Sequence, residues 1–322
     1  MKTPRRILIS PLDWGLGHAS RIIPLINRYL EQGDYVIIAG SGLSLNLLKK
    51  QFPTLESIEI PSFKMKYSAG KSQVWAVAKA FPKLIYYSIR EHSALKRIVK
   101  EKNIDFIISD NRFGLYHKTV PSAYITHQLL IKLPKGWAWL EPFVAFVHRC
   151  IINRFTECWV PDFEDMSESL AGELSHPAKL PRNVKYIGTL SRFQLGVRSE
   201  ELGVRNLVIA ILSGAEPQRT ILEQELLSSL QNNTSENIIL IQGKIEAEQQ
   251  VSKVGKVTVY NFMSTEELQE YILKADEIIC RSGYSSIMDL YALGKLQNAT
   301  LIPTPGQTEQ EYLAEYISNH IK

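Results

Sequence analysis

Residues 6–30 read RILISPLDWGLGHASRIIPLINRYL, and the order of residue types along them decides the fold class. Arg6–Ser10 is a short β-branched run of strand type, Gly15 and Gly17 interrupt it, and Ile22, Leu25, Ile26, Tyr29 and Leu30 then recur at helical spacing. Gly33 is placed to stop that helix. Strand, glycine loop and helix make the first half of a crossover unit, and the same alternation continues to the end of the chain.

In the first half the strand candidates are Arg6–Ser10, Tyr35–Ala39, Glu56–Ile60, Asp105–Ser109, Ser122–Ile125 and Glu157–Val160, and residues 72–100 read as helix, broken or kinked at Pro82. In the second half they are Asn206–Leu212, Asn237–Ile241, Lys256–Tyr260, Glu277–Cys280 and Thr300–Pro303, with helices near 217–231, 265–274, 284–293 and 308–320. Residues 188–204 carry three glycines and no sustained period, and 189–204 are assigned as a linker. The reading is therefore an α/β chain of two Rossmann-like, doubly wound domains facing across a cleft: 1–188 on the acceptor side and 205–322 on the donor side. Ligands of such sheets bind outside the carboxyl ends of the strands, so the loops that follow the strands are searched first.

Composition narrows the classes. The chain has 322 residues, more than the roughly 100–200 of one domain, and its 45% hydrophobic and 22% charged residues exclude a disordered or fibrous protein. Cys150, Cys158 and Cys280 have neither C-x-x-C spacing nor an even count, which predicts a reducing, cytoplasmic setting without a disulfide framework. No apolar run approaches the roughly 18 residues of a membrane span, and Met1–Arg6 lead directly into a strand. Residues 1–188 carry 26 Lys and Arg against 16 Asp and Glu, whereas residues 189–322 carry 11 against 17. A basic half suits an anionic substrate or an anionic lipid surface, and equally a solvated face of arbitrary sign. The basic residues are dispersed and no groove-reading motif occurs, so no nucleic-acid partner is expected.

The loop after the first strand holds Gly15 and Gly17, which let the backbone come close to a ligand, and His18 at the start of the helix. It lacks the third glycine of the dinucleotide fingerprint, and the second strand ends in Ala39-Gly40-Ser41 without the ribose-binding acid, which disfavours a nicotinamide enzyme. His18 is read as a general base or as a capping residue; the other six histidines are read as surface or packing residues. Asp110, at a strand end, is placed to orient His18, to substitute for it, to bind an acceptor hydroxyl, or simply to cap a turn. In the second half, Ser213-Gly214-Ala215-Glu216-Pro217 before a helix makes an anion cradle to which Arg219 adds a charged fork. Arg281-Ser282-Gly283 at a strand end, with Ser285 and Ser286 in the next helical turn, supply donors for a diphosphate. Asp289, about one turn on, suits ribose hydroxyls, and Gln307 and Gln310 are amides suited to sugar hydroxyls. No D-x-D pair occurs, so no metal site and no cofactor is expected.

At these residues the chain resembles the GT-B glycosyltransferases, in particular the family-28-like group that contains the peptidoglycan N-acetylglucosaminyltransferase. The resemblance is specific over about 262–315 and weaker over 5–30. The run at 281–289, RSG-x-[ST]-x-x-[DE], matches that group's donor signature. It implies that Phe262 and Met263 lie by the base of a uridine diphosphate sugar, Ser282 to Ser286 by the diphosphate, Asp289 by the ribose and Gln310 by the sugar, and that the loop with His18 faces the acceptor. The group often has Glu at Asp289, a second glutamine at Glu311 and an asparagine near Leu313. The implied reaction is inverting, metal-independent transfer of a sugar from a nucleotide diphosphate to an acceptor, with His18 as base, Asp110 as its orienter, and helix N-termini with Arg219 or Arg281 stabilising the leaving diphosphate. The alternatives are an epimerase or hydrolase on the same scaffold, or a non-catalytic sugar-nucleotide-binding subunit.

The acceptor is not named by any motif. Residues 131–152 combine Trp137, Trp139, Phe143 and Phe146 with Lys132, Lys135 and Arg149, and residues 74–100 mix Trp75, Phe81, Tyr86 and Tyr87 with lysines. These are patterns of core packing or of an interfacial helix and lipid-acceptor groove, the latter implying peripheral membrane contact through the N-terminal domain.

Overall fold

A computed structural model describes residues 3–63, 74–193, 206–244, 246 and 248–321, with the backbone alone for 74–81. The chain divides into two compact units, with the boundary between Leu190 and Ser191. The linker expected at 189–204 lies outside the described residues from 194 on.

Unit 1 is built on seven strands, β1 (Arg6–Pro11), β2 (Tyr35–Gly40), β3 (Glu56–Glu59), β4 (Phe106–Asp110), β5 (Ser122–Ile125), β6 (Glu157–Val160) and β7 (Val184–Tyr186), in the order β3-β2-β1-β4-β5-β6-β7. All six pairings are parallel. Its helices are α1 (Leu16–Glu31), α2 (Gly42–Gln51), α3 (Val74–Lys102) and α4 (Glu141–Ile152). Parallel strands covered on both faces must be apolar throughout, and Ile7, Leu8, Ile9, Ile37, Ile38, Ile107 and Ile108 are all buried. Pro82 lies inside α3, which continues through it, so the expected break does not occur.

Unit 2 repeats the plan with β8 (Leu207–Ile211), β9 (Asn237–Ile241), β10 (Val251–Val254), β11 (Val257–Tyr260), β12 (Glu277–Arg281) and β13 (Ala299–Ile302), ordered β10-β11-β9-β8-β12-β13, and α5 (Gln218–Leu230), α6 (Thr265–Lys274), α7 (Tyr284–Ala292) and α8 (Thr308–His320). Only the edge strand β10 runs antiparallel.

In each sheet the strand order reverses direction at one place, between β1 and β4 in unit 1 and between β8 and β12 in unit 2. The loops leaving two neighbouring strands diverge at such a switch point and open a crevice. The residues singled out from sequence sit at both: the β1–α1 loop and Asp110 at one, the β8–α5 and β12–α7 loops at the other.

A buried ion pair locks α3 to the unit 1 sheet. Arg112, just past β4, donates from Nε to Glu91 of α3 at 3.1 Å, from Nη1 to Ser10 of β1 at 3.1 Å and from Nη2 to the Pro61 carbonyl at 2.9 Å. The Glu91 carboxylate also accepts from the Gly114 amide at 3.3 Å. Removing one member of such a pair strands the other charge in the core. Glu91→Ala is expected to destabilise unit 1 by about 3–5 kcal/mol, read as a lower urea midpoint, whereas Glu101→Ala in the exposed Arg97–Glu101 pair should stay within about 0.5 kcal/mol. Equal shifts in the two variants would contradict this assignment.

Candidate functional site

The β1–α1 loop is held from outside itself. Gly15 has φ 146°, a conformation that side chains rarely adopt. Asp13 turns away from the helix and accepts from the Ser44 amide of α2 at 3.1 Å, while Ser44 Oγ donates to the Leu12 carbonyl at 3.1 Å. A Cβ on Gly42 (φ 57°) would meet Asp13 Oδ2, so this docking needs glycine there. Trp14 Nε1 donates to the Phe63 carbonyl at 2.9 Å, which pins the other side of the loop. The loop therefore delivers His18, in the first turn of α1, to a fixed position.

Asp110 ends β4 next to it and is 0% exposed, while the His18 side chain retains 20% exposure. His18 Nδ1 stands 3.0 Å from Asp110 Oδ1. A third member, Arg21 one turn further along α1, donates from Nε to Asp110 Oδ2 at 2.7 Å, closes on Oδ1 through Nη2, and brings Nη2 to 2.9 Å from His18 Nδ1. Burial alone would raise the Asp110 pKa. The Arg21 charge first, then His18 and the hydrogen bonds from both, outweigh it and hold the carboxyl at about 2. Of the roles expected for Asp110, its complete burial against His18 and Arg21 favours that of orienting His18 over replacing the base or binding an acceptor hydroxyl. Sequence reasoning passed over Arg21, although its spacing of three from His18 on a helix puts the two on one face.

In unit 2 both expected cations are engaged internally. Arg219 donates to Glu216 and Glu223, both at 2.8 Å, and to Thr220 Oγ1 at 3.0 Å, so its fork faces carboxylates and not a diphosphate. The proposed cradle before α5 is filled by the chain's own anion, because Glu216 Oε2 accepts from the Thr220 amide at 3.2 Å. Arg281 is buried and donates to the Pro303 and Gln218 carbonyls, each at 2.9 Å, which ties three loops together at the switch point. Its burial pushes the guanidinium pKa down. Ser282 is fully buried and donates to the Gln310 carbonyl at 2.8 Å. Arg219, Arg281 and Ser282, expected at the diphosphate, are thus engaged with the protein's own carboxylates, hydroxyl and carbonyls.

The half-buried Gly283, Ser285 and Ser286 lie at the start of α7, and a Cβ built on Gly283 or on Gly214 meets nothing within 4 Å. Among the four helices described in unit 2, α7 alone begins without an acid. Glu216 sits at the α5 terminus, a Ser264–Glu267 capping box closes α6, and α8 has Glu309 and Glu311 in its first turn. α7 has no side-chain cap and no acidic residue in its first turn. Among the described residues, its positive end therefore has no carboxylate in its cap or first turn, and a Cβ at Gly283 meets open space.

Asp289, further along α7, is not open as expected. Ser191 Oγ donates to its Oδ1 at 2.7 Å and Arg192 Nε stands 3.7 Å from Oδ2. Burial raises its pKa, opposed by Arg192 and Ser191. Gln310 is likewise committed: its Oε1 accepts from the Thr304 amide at 2.9 Å, so its Nε2 is the donor to Gln307 Oε1 at 2.8 Å, and Gln307 is left presenting its NH2. Phe262 and Met263, half-buried, follow β11 on the same edge. A cavity of about 330 Å³ lined by Asn206, Ser235 and Asp276 lies instead at the strands' amino ends, remote from these helix starts.

Residues 208–322 match the family described as Glycosyltransferase family 28 C-terminal domain. The chain is 22% identical over 302 residues to an uncharacterized glycosyltransferase of Methanosarcina mazei, covering 90% of this chain and 78% of that one. Its fold is similar to the glycotransferase of kitacinnamycin (TM-score 0.63, 14% identity, 98% of this chain and 84% of that one). It is also similar to UGT89C1 of Arabidopsis thaliana, solved with UDP-L-rhamnose (TM-score 0.61, 15% identity, 98% and 83%). The two-sheet architecture is that of the GT-B glycosyltransferases, and its second unit matches the family 28 C-terminal domain over residues 208–322.

The depressed Asp110 pKa fixes a sign for acid stability. Its carboxylate contributes fully above the unfolded value near 4 and the contribution is lost as pH falls toward 2. The loss amounts to about 2 kcal/mol from a shift of this size. Thermal midpoints measured between pH 5 and 2.5 should fall less steeply in Asp110→Asn than in the unmodified protein; parallel curves would contradict the assignment.

Proposed function

We infer that this glycosyltransferase moves a sugar from a nucleotide diphosphate donor, with UDP as the best-fitting nucleotide, to an acceptor hydroxyl with inversion at the anomeric carbon. The observation that supports the reading is the N-terminus of α7, which has no side-chain cap and no acid in its first turn, beside open space at Gly283 and inside the stretch that matches the family 28 domain. Backbone N–H groups of the first turn, with Ser285 and Ser286, take the diphosphate, an anion that needs no arginine there because the helix end supplies the positive potential. Phe262 and Met263 pack on the base, and the NH2 of Gln307 donates to a sugar hydroxyl. The ribose is assigned to Asp289, where it shares the carboxylate with Ser191.

On the acceptor side, the ring nitrogen of His18 that faces neither Asp110 nor Arg21, Nε2, removes the hydroxyl proton. The acceptor oxygen then forms its bond to the anomeric carbon while the bond from that carbon to the diphosphate oxygen breaks, its electron pair leaving with the diphosphate. Asp110 receives the Nδ1–H bond of the imidazolium so formed.

Surface features of unit 1 support a reading of the acceptor class. Trp139, Phe143 and Phe146 are 72%, 64% and 54% exposed, so core packing does not account for them. α4 buries Ala145, His148 and Ile152 on its other side, and Arg149 stands over the Phe146 ring. Ile85, Tyr86 and Ile89 of α3 are exposed as well. Exposed aromatics with basic neighbours fit a lipid surface, and with it a lipid-carried acceptor.

Three variants test this. With a panel of UDP-sugars, His18→Ala should reduce turnover by at least 100-fold and leave donor affinity within about threefold. Gly283→Val, at a position where an added Cβ meets nothing within 4 Å, should keep the melting temperature and lose most donor affinity. Unchanged turnover in the first variant, or unchanged affinity in the second, would overturn the corresponding role. Co-sedimentation with phosphatidylglycerol vesicles should be lost in the triple Ala variant of Trp139, Phe143 and Phe146; retention would remove the membrane assignment.

A further inference from the structure

We propose that Arg21 is a positioning residue that keeps His18 in its neutral, proton-accepting form by holding both carboxylate oxygens of Asp110. The proposal rests on the reading of His18 as the base. It goes beyond that reading by assigning a third member to the pair and a reason for its charge.

The argument is one of charge in a buried place. Asp110 is fully buried and the Arg21 side chain is 2% exposed, so neither charge is screened by water. With Asp110 alone, a proton taken by His18 would convert a net charge of −1 into a neutral pair, which a poorly solvated site favours strongly. With Arg21 clamped on Asp110, the same proton converts a neutral cluster into one of +1. The cation thus weakens the hold of the His18–Asp110 pair on a proton, whichever of the two carries it. A base that is already protonated by its own carboxylate cannot accept the acceptor's proton. Arg21 prevents that state. The neutral ring's proton is assigned to Nδ1, toward Asp110 Oδ1 at 3.0 Å, with Arg21 Nη2, 2.9 Å from the same nitrogen, donating to the carboxylate, so that Nε2 is the acceptor.

Among the described residues, other titratable groups of the neighbouring elements are engaged or placed elsewhere. On β5, Tyr124 donates to Asn111 Oδ1 at 3.1 Å, and burial holds its phenol neutral. Asp13 in the β1–α1 loop is turned onto the Ser44 amide. On β1, Arg6 donates from Nε to the Lys102 carbonyl, and Lys49 and Lys50 lie in the last turn of α2. The same triangle would also serve as a plain structural clamp, and the test is chosen to separate the two.

The His18 imidazole is followed against pH by its side-chain carbon and nitrogen NMR shifts in the full chain without substrate, the resonance being identified by its loss in His18→Gln. In Arg21→Gln the midpoint should rise by about one unit or more, and in Arg21→Lys, which keeps the charge, by less. The acidic limb of kcat/KM should move up with it. If Arg21→Gln does not fold, Asp110→Asn and the double variant Arg21→Gln/Asp110→Asn replace the ion pair by neutral amides. The midpoint should then be higher in the double variant than in Asp110→Asn. A midpoint that ignores residue 21 in both comparisons, or a fall in kcat with the limb unmoved, would overturn the proposal. Because the titration needs no turnover, its outcome is independent of whether His18→Ala abolishes transfer.

Discussion

Parallel strands impose a direction, and the rest of this molecule follows from it. Every strand of unit 1 and all but the edge strand of unit 2 point the same way within their sheet, so each sheet has one edge where strands end and helices begin. That edge collects carbonyl-terminated strands, tight loops and the positive ends of helices, and at the reversal of strand order it opens a crevice. Asp110 and His18 meet at one such reversal. The loops at Gly214 and Gly283 flank the other.

At both places the chain treats charge in the same manner, by turning its arginines inward. Arg21 clamps a carboxylate, Arg112 clamps Glu91, and Arg281 braces three loops through carbonyls. In the proposed reading, the ligand meets the backbone end of α7 with half-buried hydroxyls and amides. Rigid internal cations shape the loops, and an uncapped helix supplies the potential, so binding an anion there requires little rearrangement.

The architecture was legible because long elements carry their own period. α6 and α8 have the bounds read from the sequence, as do β5, β6 and β9. Elements that depend on neighbours were not. β10 is exposed at all four residues and has no apolar alternation, β7 has three residues, and α2 has no local side-chain cap, its start being held by Asp13 from another loop. The candidate site was legible as positions along the chain but not as directions in space. Residue type placed Arg219, Arg281 and Ser282 on the right loops, yet their partners, Glu216, Glu223 and the carbonyls of Gln218, Pro303 and Gln310, decide that they point inward. The aromatic residues of 137–146 showed the converse: their spacing fitted a core, and the fold leaves them outside.

The claim on which the account stands is that the carboxyl edge of unit 2 binds the donor nucleotide. Titration of UDP into isotope-labelled protein, followed by backbone amide shifts, tests it most directly. The account predicts the largest changes at Gly283 to Ser286 with smaller ones at Phe262 and Met263. Changes confined to the amino-edge cavity at Asn206, Ser235 and Asp276, with Gly283 to Ser286 silent, would contradict it.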